Sequence, residues 1–168
     1  MVMQHPFAWG VLALAFALVL ACGFEDLRRY RIPNVLVGAL LALYPLHVLT
    51  SPVAIDWIWS LALFAGVFAL GVVAFATGKV GGGDVKLIAV CVLWAGPEHI
   101  FPFLITCAVA GGLMAMLLLM RSRYGLAMIF DGLHLTRARD LVMGDVVPYG
   151  LAIAIGMTPV FGRLALGG

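Results

Sequence analysis

The chain has 168 residues, of which 64% are apolar and only 11% are charged. Soluble domains are about half apolar and about a quarter charged, so this composition excludes a water-soluble globule and predicts a protein whose main solvent is lipid. The net charge of +2 is too small and too dispersed for a nucleic-acid-binding surface.

Six apolar segments approach the roughly 17 to 25 residues that a membrane-spanning helix needs. In chain order they cover residues 7–23, 34–50, 57–77, 84–96, 100–120 and 146–162. Pro33 opens the second segment at a helical position where its missing N–H group is tolerated, and Pro97 ends or kinks the fourth segment. The sequence therefore predicts an all-α integral membrane protein with six transmembrane helices in a single domain, residues 1–168.

Basic residues are concentrated in alternate loops between these segments. Nine of the ten basic residues precede or flank the second, fourth and sixth segments: Arg28, Arg29, Arg31, Lys79, Lys86, Arg121, Arg123, Arg137 and Arg139. The intervening loops, residues 51–56 and 96–99, contain none. By the positive-inside rule, the basic loops are cytoplasmic and both termini are extracytoplasmic.

Two acidic residues have unusual surroundings on the predicted cytoplasmic face. Asp26 directly follows the first segment, and Asp84 follows the glycines Gly81 to Gly83. The apolar stretch from Val85 to Gly96 gives only about 18 Å of helix, well short of a hydrocarbon core of about 30 Å. Glycines permit positive φ angles and close backbone approach, and irregular backbone at membrane depth needs burial in protein or a wet cavity. We therefore expect a recess that opens to the cytoplasm and holds both carboxylates.

Paired carboxylates suit the hydrolysis of a peptide bond by water. One carboxylate takes a proton from water while its protonated partner polarises the scissile carbonyl group. The serines and cysteines of the chain have no nearby histidine that would make them nucleophiles. The cysteines and histidines also lack the spacing of zinc ligands, so no metal site is expected.

Simpler roles exist for the same acids. Asp26 could be a juxtamembrane charge that pairs with Arg29 or caps a turn, and Asp84 could be an acid that stabilises a helix N-terminus. Asp145 is a rival for either catalytic role. A small transporter or channel in which these acids bind a cation or relay protons is the alternative function. An inert membrane subunit is a third possibility.

Three motifs in chain order carry a family resemblance. Residues 81–87, GGGDVKL, resemble the GxGDxKL form of the GxGD motif of the type IV prepilin peptidases, which are membrane aspartic proteases. Asp26 with the arginine-rich run that ends in Ile32, Pro33 and Asn34 resembles the first aspartate motif of that family. Residues 147–156, VPYGLAIAIG, are similar to its last-helix signature.

The resemblance implies that Asp26 and Asp84 are the catalytic pair. Other motif positions are implied to bind substrate or support the site: Gly81, Gly83, Lys86, Pro33, Asn34, Pro148, Tyr149 and Gly150. No role for Lys86 follows from the residues themselves, since two positions past Asp84 it points to a different side of the helix.

The resemblance implies that the protein lies in the inner (plasma) membrane with its active site facing the cytoplasm. The implied substrate is a prepilin or prepilin-like precursor. Its short basic leader is cut on the cytoplasmic side, just before a hydrophobic helix, and no metal or organic cofactor is implied. The larger family members carry an N-terminal cytoplasmic region with paired CxxC motifs and also methylate their products. This chain is similar instead to the short, peptidase-only forms of tight-adherence (Flp-type) pilus systems, which leaves N-methyltransferase activity doubtful.

Overall fold

A computed structural model describes residues 6–78, 80–119 and 149–166, and every regular element in these ranges is an α-helix. The helices are α1 (Pro6–Arg29), α2 (Asn34–Thr50), α3 (Trp57–Ala76), α4 (Gly82–Leu119) and α5 (Tyr149–Leu166). Four of them, α1, α3, α4 and α5, are long and apolar enough to cross a membrane, and α2 is a shorter apolar helix. The all-α prediction is therefore confirmed for these residues, and the chain is a multi-pass membrane protein.

Helix α1 extends past the predicted apolar segment, which ends at Gly23, and continues to Arg29. Asp26 consequently lies inside the last turns of a helix rather than in a loop. The two arginines at its end are placed favourably beside the negative end of the helix dipole. Tyr30 then adopts a left-handed conformation with φ of 51°, and its N–H group donates to the carbonyl of Asp26, which ends the helix.

Helix α4 is broken at Gly96, which has φ of 62° and ψ of −176°. The next residue, Pro97, has no N–H group to continue the helical hydrogen bonds. Beyond the break, Cys107 lies against Gly156 of α5, and Gly111 lies against Ala152 one turn earlier in α5. Residues later in α4 thus contact residues earlier in α5, so residues 97–119 run antiparallel to α5.

Gly96 has a backbone conformation that other residues rarely adopt. Its φ and ψ belong to a region that is essentially restricted to glycine, and a Cβ atom there would lie 3.1 Å from Oγ of Ser60. We expect Gly96→Ala to lower the free energy of unfolding by about 1–3 kcal/mol, measured as a fall in Tm in detergent. Gly112→Ala is the control, because a Cβ there meets nothing within 4 Å. Equal melting temperatures for the two variants would contradict the strain assigned to Gly96.

The first part of α4, residues 82–95, is the centre of the bundle. Its side chains from Leu87 to Ala95 are almost all buried, and α4 packs against α2, α3 and α5. Glycines let the neighbouring helices approach closely: a Cβ on Gly71 of α3 would overlap Val85, and one on Gly23 of α1 would lie 3.0 Å from Cβ of Ala154. Such small residues stabilise helix pairs in membranes, where the hydrophobic effect does not drive helices together.

Candidate active site

Asp26 and Asp84 line one cavity, although 58 positions separate them in the sequence. The cavity has a volume of about 270 Å³ and lies where the end of α1, the link to α2 and the start of α4 meet. Its other lining residues are Tyr30, Arg31, Ile32, Asn34, Gly81, Gly82 and Gly83.

Asp26 is fixed in the cavity by the start of α5. The residue is only 6% exposed, and its Oδ2 accepts a hydrogen bond of 2.8 Å from the N–H group of Gly150. A Cβ on Gly150 would lie 2.8 Å from Cβ of Asp26, so only glycine lets the two helices meet here. Arg29 pairs instead with Glu25, at 3.2 Å. The alternative in which Asp26 is a surface charge paired with Arg29 is therefore wrong.

Asp84 lies in the first turn of α4, directly after the glycines. Its carboxylate faces back towards Gly81, where a Cβ atom would lie 2.7 Å from Oδ2 of Asp84. The missing side chain of Gly81 thus leaves room for the carboxylate at the helix N-terminus, where the helix dipole favours negative charge.

The glycines 81–83 do not use the positive φ angles that the sequence suggested. Among the described glycines, only Gly78 and Gly96 have positive φ, and Gly82 and Gly83 lie within the first turn of α4. Their role is close approach: a Cβ on Gly83 would lie 3.3 Å from Cβ of Ile32, and one on Gly82 would lie 3.3 Å from the ring of Phe75. The glycine run therefore lets the α1–α2 link and the end of α3 pack closely against the start of α4.

Lys86 forms a hydrogen bond that could not be predicted from the sequence. Its Nζ donates to Oδ1 of Asn34 at 3.2 Å, which joins the start of α2 to α4 beside the cavity. Pro33 precedes α2, and its carbonyl accepts the N–H groups of Leu36 and Val37.

The remaining motif residues fall partly on α5. Tyr149 begins that helix and its ring lies 3.7 Å from the Cβ position of Gly111. Pro148 and Asp145 lie outside the described residues.

Sequence reasoning did not single out Tyr30, Arg31 and Ile32 as residues of the cavity. All three lie in the short link between α1 and α2. The available signal was their position directly after Asp26, but a run of arginines on a cytoplasmic face is equally typical of ordinary loops. Only the fold shows that this link lines the cavity that holds the two aspartates.

The comparison with known families covers the two aspartate motifs, whereas the motif at residues 147–156 lies beyond the matched range. A model described as the type IV leader peptidase family matches residues 13–116, a range that includes α2, α3 and both aspartates. No curated protein and no solved structure gives a significant match. The matched range covers more than half of the chain, so the resemblance predicted from the motifs is confirmed and the protein belongs to the type IV leader peptidase family.

Proposed function

We propose that this protein is a membrane-embedded aspartic endopeptidase that removes the leader peptide from prepilin or prepilin-like precursors. Membership of the family supports a leader peptidase, and one observation supports the aspartic mechanism. Asp26 and Asp84, carried by different helices, line a single cavity. Both acids lie near helix ends on one side of the bundle, which suits hydrolysis of a peptide at the membrane surface better than a proton or cation pathway.

The two carboxyl groups share one proton in the proposed mechanism, as in other aspartic proteases. The ionised carboxylate takes a proton from water as the water oxygen attacks the scissile carbonyl carbon. The protonated carboxyl group gives its proton to the carbonyl oxygen, which forms a tetrahedral diol. When the carbon–nitrogen bond breaks, the nitrogen takes up the first proton and the diol returns the other to a carboxylate, so the pair is regenerated.

We further infer six membrane crossings with both termini extracytoplasmic. The antiparallel course of residues 97–119 along α5 supports two separate crossings within α4. Support also comes from a second cavity, which brings four helix ends together. It is lined by His47 near the end of α2, Ser60 near the start of α3, Gly96 at the break in α4, and Leu164 near the end of α5. These positions belong to the opposite helix ends from Asp26 and Asp84. The basic residues Arg28, Arg29, Arg31 and Lys86 cluster at the aspartate end, which favours a cytoplasmic location for the active site in the inner membrane.

The function is tested by incubating the purified protein, reconstituted in lipid vesicles, with a precursor that has a basic leader and an apolar helix. We expect a single cut between leader and helix, located by mass spectrometry of both products. Vesicles without protein are the control. A precursor that stays intact would overturn the proposed function.

A further inference from the structure

An apolar groove opens beside the aspartate cavity, between α2 and α3. It has a volume of about 300 Å³ and is lined by Val37, Gly38 and Leu41 of α2, by Phe64 and Phe68 of α3, and by Val90 of α4. Its mouth is polar, since Asn34 and Lys86 complete the lining.

The groove follows from how the three helices pack. Helix α2 packs against α1 and α4, whereas α3 packs against α4, so a gap remains between α2 and α3. Gly38 widens the gap, because nothing lies within 4 Å of a Cβ atom at this position. Leu41 and Phe68 are 40% and 38% exposed. A second helix that entered here would meet apolar side chains and could approach the backbone of α2 at Gly38.

The groove adjoins the aspartate cavity at Asn34. Asn34 lines both, and its Oδ1 accepts the hydrogen bond from Lys86, which lies two positions after Asp84. From Asn34 the groove follows α2 to Leu41, about 10 Å at 1.5 Å per residue. That length accommodates about two turns of a bound helix.

Another apolar groove of similar volume, about 330 Å³, lies between α1 and α5. It is lined by residues such as Trp9 and Ala165, which belong to the helix ends remote from Asp26 and Gly150. It shares no lining residue with the aspartate cavity. Of these two grooves, the α2–α3 groove is therefore the one that leads away from the proposed scissile bond.

We propose that the α2–α3 groove binds the first two turns of the apolar helix that follows the scissile bond of the precursor. This inference rests on the proposed function. The cavity at Asp26 and Asp84 receives the peptide bond, Asn34 and Lys86 mark the point where the chain turns into the membrane, and Gly38, Leu41 and Phe68 contact the helix. The groove thus distinguishes a membrane-anchored precursor from a soluble peptide with the same leader.

The test fills the groove and compares two substrates. Gly38→Phe places a ring in the open space, and Gly38→Ala fills it less. The substrates are the full precursor and a short peptide that ends three residues after the scissile bond. We expect Gly38→Phe to lower the ratio of kcat/KM for the precursor to kcat/KM for the peptide by about tenfold, through KM, and Gly38→Ala to lower it less.

Gly162→Phe is the matched control, because Gly162 lines the α1–α5 groove and nothing lies within 4 Å of its Cβ position. We expect this variant to keep the wild-type ratio. A wild-type ratio in both Gly38 variants, or an equal fall in both kcat/KM values, would overturn the groove assignment while the proposed function stands. If the wild-type protein cut neither substrate, the proposed function would fail, and the groove assignment with it.

Discussion

Asp26→Asn and Asp84→Asn are each expected to lower the rate of precursor cleavage by about 10²- to 10⁴-fold, the range that a general acid or base contributes. An amide can neither take a proton from water nor give one to the scissile carbonyl. The fold should tolerate both changes, since Asn is almost the same size as Asp and its Oδ1 at position 26 can still accept the N–H group of Gly150. Initial rates in vesicles, normalised to the amount of reconstituted protein, measure the effect.

Glu25→Gln is the matched control for this experiment. Glu25 is adjacent to Asp26 in the sequence but pairs with the exposed Arg29, so its loss should change the rate by less than about twofold. The double variant of Asp26 and Asp84 should be no slower than the slower single variant, because the two groups act as one unit. An active Asp26→Asn together with an inactive Asp145→Asn would mean that the catalytic pair is misassigned.

Gly150→Ala should reduce cleavage almost as severely, although it removes no chemical group. The new Cβ would lie 2.8 Å from Cβ and 2.9 Å from Oδ2 of Asp26, closer than real side chains pack. Either α5 or the carboxylate must move, and a displacement of about 1 Å at a catalytic group can cost about 10²-fold in rate. The same overpacking should lower the free energy of unfolding by about 1–3 kcal/mol. Cleavage rates and Tm in detergent measure the two effects.

Two glycines serve as controls for Gly150. Gly162 lies in the same helix with nothing near its Cβ position, so Gly162→Ala should keep both rate and stability. Gly23→Ala would place a Cβ 3.0 Å from Cβ of Ala154 and 3.2 Å from the carbonyl oxygen of Gly150, without direct contact with the carboxylate, so it should lower Tm more than it lowers the rate. Full activity in Gly150→Ala would show that its contact with Asp26 does not position the carboxylate.

The sequence predicted the helical class and the family because both depend on local signals. Long apolar segments indicate membrane helices, and Asp26, Asp84 and their neighbours form recognisable motifs. The end of α1 was predicted less well, since hydropathy marks where apolar residues stop, whereas a helix continues until a residue such as Tyr30 ends it. The break at Gly96 was anticipated only through Pro97.

The details of the cavity depend on residues that are distant in the chain. A run of glycines can serve either positive φ angles or the close approach of other chain segments. The contacts of Ile32 with Gly83 and of Phe75 with Gly82 show that close approach is the reason here, and the local sequence does not contain these contacts. The contact between Lys86 and Asn34 joins residues 52 positions apart, so no local pattern indicates it.

The hydrogen bond from Gly150 to Asp26 also bears on how the protein is made. Its two partners are 124 positions apart, so α1 enters the membrane long before the ribosome adds the residue that orients its carboxylate. A nascent chain that has inserted α1 through α4 already carries both aspartates but holds Asp26 without its α5 donor. We therefore expect chains that end before α5 to lack the proposed proteolytic activity, because Asp26 has no donor to orient its carboxylate.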